Sequence, residues 1–415
     1  MTAKLTGYGA ARLAVADNAD LGDPAYFGPV APEWNVARFT ATGLDPNTRY
    51  WYAIEQSDKL DTTMVGRFTT HPPIGEPASI TLISSADSGQ TPTHPGIGDV
   101  LAPQRVSNHP VLDEISSHPS DPLMFLHLGD LTYYDPGSRV WVPDATAATY
   151  RRMYDDVLAQ ARWRKLAQSL PIGYVYDGHD YGPNDADRTA MGRHNATTVY
   201  RERVPSYPLP AGDGAHGIYH SFQIGRVLFV MTDCRTDRTP NSEPDDEHKS
   251  ILGQAQFAWL DSLLASTTAQ ALVWVNPTSW LGRIDDSFGG GYTTERDKLV
   301  ALFATHGWLD RMCILGAGYH ALGICSARNN PYGGFPIFGF SAIDAAPSQY
   351  TGEMFDVGFR AGRNQYGVLA VTDDGAEITI TGTGYVGSDP CVSHDFTVSG
   401  LRVPPGRATA SGIAS

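Results

Sequence analysis

Residues 122–136 read PLMFLHLGDLTYYDP. An apolar run, Leu123–Leu128, ends at Gly129 and is followed by Asp130 and, three residues on, Tyr133. A short run of this kind, bounded by a turn signal, predicts a β-strand covered on both faces. Working outward, similar runs occur at Ser79–Ser84, Ile172–Tyr176, Arg226–Thr232, Ala271–Asn276 and Arg311–Gly316. Most of them also release polar groups at their carboxyl ends: Ser85-Ala86-Asp87, then Asp177-Gly178-His179-Asp180 running on to Asn184-Asp185, then Asp233-Cys234-Arg235, then Gly318-Tyr319-His320. Helical stretches near 100–117, 147–169, 254–266 and 294–306 lie between them, and Phe257, Leu260, Leu263 and Leu264 give one of these an apolar face. Buried strands alternating with helices define an α/β fold, and ligand-type residues at the strand ends converge on one edge of the sheet. A lone Asp after a strand is ordinary turn chemistry. Its repetition is what points to a site.

The flanks differ. Residues 1–75 read as β only, with runs at Ala11–Ala16, Val36–Ala41, Arg49–Ile54 and Thr63–Thr69 separated by turns such as Asp45-Pro46-Asn47, and Pro72-Pro73 to Pro77 predicts a linker. Val368–Val371 and Glu377–Thr381 predict a hairpin across Asp373-Asp374-Gly375, and the Pro/Gly/Ala/Ser stretch 402–415 an extended tail. Of 415 residues, 41% are hydrophobic and 18% charged, which supports a large core. A net charge of −15 argues against nucleic-acid and anionic-membrane partners, and no run is long enough to cross a bilayer. Arg151, Arg152, Arg162, Arg164 and Lys165 are expected to form a solvated face, and Gly289-Gly290-Gly291 a flexible loop. The four cysteines form no CxxC pair, and the first residues lack the apolar core of an export signal, so a cytoplasmic or virion location is expected.

The ordered motifs resemble the PhoD-type alkaline phosphatases within the calcineurin-like metallophosphoesterases. Gly129-Asp130-x-x-Tyr133 is similar to that family's GDxxY, 176–185 to its W-D-D-H-D/E block, 232–238 to L-D-T-R-x-x-R, and 314–323 to S-G-D-x-H. The resemblance implies a fibronectin type III-like β-sandwich (1–75) followed by a four-layer α/β/β/α metallophosphoesterase-like domain (76–401). It also implies metal ligands at Asp87, Asp130, Tyr133, Asp180 and His320, with His179, Asn184 and Arg235 as catalytic groups acting on a phosphate ester.

Three positions depart from the family pattern. Ser85 stands where the family has Cys, and Gly178 and Gly318 stand where it has Asp. Gly offers no side-chain ligand. The expected cofactor is therefore one divalent or ferric ion, or none, rather than a dinuclear centre. Each surviving residue also has a structural reading: Asp130 as a turn cap, His179 and His320 as satisfied histidines, Tyr133 as a packing ring, Asn184 as a turn former, and Arg235 paired with Asp233 or Asp237. Two functions follow as expectations. One is a pseudoenzyme used as a binding or assembly module, such as a bacteriophage minor tail protein, with a cell-surface ligand, homo-oligomer or virion contacts as partners. The alternative is an active metal-dependent phosphoesterase.

Overall fold

The computed structural model describes the chain except residues 6, 8, 90–105, 140–141, 283, 346–349 and 402–415. The start of the helix expected over 100–117 and the expected tail lie outside the described residues. The N-terminal part is antiparallel β: β1 (Thr2–Lys4), β2 (Ala11–Ala16), β3 (Ala25–Val30), β4 (Val36–Arg38), β5 (Arg49–Gln56), β6 (Lys59–Leu60) and β7 (Gly66–Thr69). β1 pairs with β4. The other strands form a sheet ordered β3-β2-β5-β6, with β7 also on β5.

Two larger sheets follow. β8 (Ile80–Ser85), β9 (Met124–His127) and β10 (Ile172–Tyr174) are parallel neighbours in the first. The second contains β11 (His220–Ile224), β12 (Val227–Met231), β13 (Ala271–Asn276), β14 (Met312–Gly316), β15 (Ala321–Cys325), β16 (Ile337–Phe340) and β17 (Gly358–Ala361), in the order β11-β12-β13-β14-β16-β15-β17. β18 (Gln365–Asp373), β19 (Ile378–Val386) and β20 (Asp389–Val398) then extend the first sheet, giving β10-β9-β8-β18-β19-β20. The helices are α1 (Val111–Ser116), α2 (Ala147–Ala159), α3 (Ala161–Ser169), α4 (Gly178–Tyr181), α5 (Arg193–Arg203), α6 (Gly253–Ser266) and α7 (Thr293–Thr305).

Side-chain alternation builds the layers. In β12, Val227, Phe229 and Met231 enter the core shared with Leu82, Phe125 and Leu369 of the first sheet, while Leu228 and Val230 face Leu260 and Leu264 of α6 and Phe303 of α7. β13 repeats this with Val273 and Val275 on one side and Leu272 and Trp274 on the other. Successive strand residues point to opposite faces, so both faces must be apolar, and each large side chain so buried contributes about 1.5–3 kcal/mol. Leu112, Ile115, Trp163 and Leu166 from α1 and α3 cover the first sheet. The result is the expected α/β/β/α layering.

Each of the six expected strands of the α/β part is present, with ends displaced by no more than two residues. The helix expected over 147–169 is two helices. Gln160 (φ −73°, ψ 130°) breaks it, and the freed Arg162 N–H is taken by Asn108 Oδ1 at 3.1 Å, a cap supplied 54 residues away. The basic cluster is largely paired rather than simply solvated: Arg151 is bidentate to Glu202 (2.7 and 2.8 Å), and Arg162 and Lys165 share Asp113. The triple glycine is tightly packed instead of a free loop, since a Cβ on Gly289 would lie 2.2 Å from Gly282 O. Hydrogen bonds also join the N-terminal strands to the rest. The Arg38 guanidinium on β4 donates to the carbonyls of Arg201, Glu202 and Val204 at the end of α5, and Tyr52 Oη donates to Ala167 O at 3.2 Å.

Candidate metal centre and its arginine flank

The sheet edges deliver the site. Asp87 follows β8, Asp130 follows β9 and His320 follows β14. One ligand atom from each of the three lies within 4.8 Å of the others. The loops are tied together by the backbone: Asp87 N donates to Gly129 O (3.2 Å) and Ser88 N to Asp130 O (2.8 Å). Gly129 (φ +97°) is needed here, because a Cβ would sit 2.5 Å from Asp177 Cβ. Tyr133 closes the group, its Oη 3.5 Å from Asp87 Oδ1 and 3.4 Å from His320 Nε2, while His320 Nε2 lies 3.3 Å from Asp87 Oδ1.

Three features mark this cluster as built for a ligand. Asp87 (φ +57°), Asp130 (+50°) and His320 (+49°) all hold left-handed backbone. Asp and His tolerate that region better than most residues, yet it still costs about 1–3 kcal/mol each, and such residues gather at functional sites. Asp87 Oδ2 is buried without a hydrogen bond, the nearby Ser341 hydroxyl donating to Ala321 O. The electrostatics also call for a cation. Burial raises the Asp130 carboxyl well above its usual range, with His179 opposing and Asp177, Asp87 and Asp180 adding to the rise. Burial likewise raises Asp87, against the pull of His320, and raises the Tyr133 phenol, where the surrounding carboxylates add to it.

His179 caps the cluster from α4. Its backbone N–H donates to Asp130 Oδ1 (3.0 Å), its ring lies over Tyr133 with centroids 4.2 Å apart, and its Nδ1 meets Asp135 Oδ1 at 2.5 Å. Burial lowers its pKa, but Asp130 and Asp135 outweigh burial and bring it to about 9. Asp135, itself at φ +50°, escaped the sequence reading; its signal was a carboxylate two residues beyond Tyr133.

Three expected site residues take other roles. Asp180, expected as a metal ligand, has its oxygens engaged by Leu131 N (3.0 Å), Thr132 N (2.8 Å) and Thr132 Oγ1 (3.2 Å), so it shapes the Asp130 loop. Burial raises it to about 6, with the backbone donors opposing. The Arg235 guanidinium is already engaged, and although the Arg235 backbone N–H donates to Asp233 Oδ1 (2.9 Å), the guanidinium's carboxylate partners are neither Asp233 nor Asp237. Its Nε donates to Asp177 Oδ1 (2.6 Å), and Nη1 and Nη2 donate to the Asp286 carboxylate (3.2 and 2.8 Å). Asn184 is exposed on its turn, with no side-chain hydrogen bond among the described residues to tie it to the cluster.

The candidate metal ligands form one cluster. Asp87, Asp130 and His320, with Tyr133 beside them, form a donor set of carboxylates, imidazole and phenol that suits a hard or borderline cation. The positions where the resembled family pattern carries further ligands offer none here. A Cβ on Gly178 would point to Arg235 Cζ at 3.6 Å, Gly318 (φ +76°) holds no side chain, and Ser85 Oγ donates to Gln365 O (2.9 Å).

Residues 108–330 match the model of the PhoD-like phosphatase family. The chain belongs to that family. A solved structure of PhoD aligns with a TM-score of 0.75 at 17% identity, covering 96% of this chain and 86% of that one. A purple acid phosphatase from yellow lupin (Lupinus luteus) seeds aligns with a TM-score of 0.60 at 15% identity, covering 94% and 69%. At these identities the two structures bear on the fold alone. No curated protein sequence matches the chain. Among the described residues, no helix is long and apolar enough to cross a membrane.

Proposed function

We propose that this PhoD-like chain binds phosphate esters at a single-metal centre and turns them over feebly. Asp87, Asp130, Tyr133 and His320 would hold the ion. A metal bound there supplies Lewis-acid polarisation of a phosphoryl oxygen and lowers the pKa of a bound water. The chain's own groups set the rest. His179, with Nδ1 held by Asp135, presents Nε2–H as the donor to a ligand oxygen. Asp180 fixes the loop that carries Asp130, and Tyr133 packs at a tilt against His179 and holds its ring. The carrying observation is the strained Asp87–Asp130–His320 cluster beside a position emptied of ligands at Gly178 and Gly318. Elemental analysis of purified protein, with turnover of an aryl phosphate, tests it. The expected result is one ion per chain and a rate far below the enzyme median of about 10 per second. Two ions per chain with a median rate would refute it.

The saturation of Arg235 by two carboxylates favours a second reading, in which the fold serves as a binding or assembly module, for instance in a phage tail, without turnover. Undetectable hydrolysis together with retained single-ion binding would select it.

A further inference from the structure

The arginine flank has the form of an oxyanion site with a carboxylate already in it. The Asp286 carboxylate receives N–H groups from Arg235 Nη1 (3.2 Å) and Nη2 (2.8 Å) and Asn241 Nδ2 (3.2 Å), and is ion-paired with Arg238 Nη2 at 2.5 Å. This convergence is preorganised. Asn241 Oδ1 accepts from Arg238 Nη2 (3.3 Å) and lies 2.8 Å from Tyr292 Oη, whose hydroxyl also reaches Thr239 O (2.6 Å), which leaves the amide N–H directed toward Asp286. The Arg238 guanidinium lies 4.3 Å from the Tyr292 ring centroid, and Asp177 fixes Arg235 through Nε. Arg238 is fully buried, yet its Nε and Nη1 have no hydrogen-bond partner. A buried guanidinium with spare donors is costly, and a carboxylate with two oxygens cannot use all that this group offers. A tetrahedral oxyanion has more acceptors.

Charge accounts for why the site is closed to such an anion. Two guanidiniums, Arg235 and Arg238, face two carboxylates, Asp177 and Asp286, and behind them buried Lys249 and Glu295 add one charge of each sign. A phosphate dianion entering beside Asp286 would leave the pocket strongly negative. Replacing Asp286 would remove one negative charge from this group, which Asp185 also faces, and leave the donors in place.

We infer that Asp286 is an intramolecular plug, a carboxylate occupying a phosphate-binding cradle made by Arg235, Arg238 and Asn241. The inference rests on the phosphate-ester reading of this cleft, and Arg235 joins the two regions by packing against Gly178, the residue before His179. Binding of such an anion requires Asp286 to leave, so the plug weakens phosphate affinity in the resting chain.

The test uses full-length, EDTA-treated protein titrated with inorganic phosphate, by calorimetry and by thermal melting, with sulfate and chloride as comparison anions. Asp286→Ala is expected to bind phosphate roughly tenfold tighter or more than the parent, as restored charge-assisted hydrogen bonds would allow. Its melting temperature should rise with phosphate and sulfate but not with chloride. If Asp286→Ala folds only when phosphate is present, the inference is equally supported. Should it not fold at all, Asp286→Asn, which removes the charge and keeps the shape, carries the same comparison. Equal phosphate affinity in parent and variant overturns the plug. Because the titration is done without metal, a protein that never holds an ion defeats the proposed function and leaves this result standing, and the reverse outcome is equally distinguishable.

Discussion

The two halves of the cleft resolve the same electrostatic problem differently. Around Asp87, Asp130 and His320, carboxylates crowd together on strained backbone with Asp87 Oδ2 unpaired. Around Arg235, the carboxylates of Asp177 and Asp286 are matched to guanidiniums at hydrogen-bonding distance. In the first half the one nearby imidazole with a raised pKa, His179, is held by Asp135, and in the second each carboxylate meets a guanidinium directly. Where the chain supplies an internal counter-ion the buried carboxylates are matched within the fold, and where they cluster with one another they are raised by burial instead.

The largest expected effect is on the satisfied side. Arg235→Met leaves buried Asp177 without its guanidinium and Asp286 with only Arg238, and should cost about 3–5 kcal/mol in urea unfolding; a loss under about 1 kcal/mol would show that the pairing carries little weight. On the frustrated side, Asp87→Asn should act in opposite directions on two properties. Metal affinity should fall on the order of 100-fold, while the metal-free protein should gain about 1 kcal/mol from relief of like charge. If the metal-free variant is less stable, Asp87 is a structural residue and the contrast between the halves fails.

The two lost ligands should differ when restored. Gly318→Asp must adopt φ +76° with its Cβ 3.0 Å from Pro277 O, and should cost about 1–3 kcal/mol. Gly178→Asp meets nothing closer than 3.6 Å and should change stability by less than about 1 kcal/mol. Its new carboxylate lands beside Arg235, so the ion count measured by elemental analysis should stay at one. A second ion in that variant would show that the guanidinium yields. The smallest effect is expected for Tyr133→Phe, which keeps the ring against His179: stability should move within about 0.5 kcal/mol, while any tyrosinate-to-iron absorption band of a ferric-loaded sample disappears.

How much of this was legible in the sequence follows from where the partners lie. Asp130, Tyr133, His179 and His320 stand at fixed offsets from apolar strands, and strand polarity brings them together, so local pattern located them. Asp180 stands in the same pattern, but its role depends on backbone N–H groups at 131 and 132, which no residue type advertises. Arg235 was visible and its partner Asp286 was not, since 51 residues and a helix separate them. The break at Gln160 went unseen for the same reason, its cap coming from Asn108. The short strands β1, β3 and β6 form through pairing more than through their own composition.

The reach of Arg38 across to α5 has a consequence for the β-rich N-terminal region. The last carbonyls of a helix have no partner within it, and at α5 three of them are met by one guanidinium on β4. Excising residues 1–75 would therefore do more than remove an appendage. It would uncap a helix whose first residue, Arg193, grips Asp237 next to the buried Arg238. The N-terminal sheets act as a splint, and fraying that begins at Arg203 would travel along a single helix toward the arginine flank of the cleft.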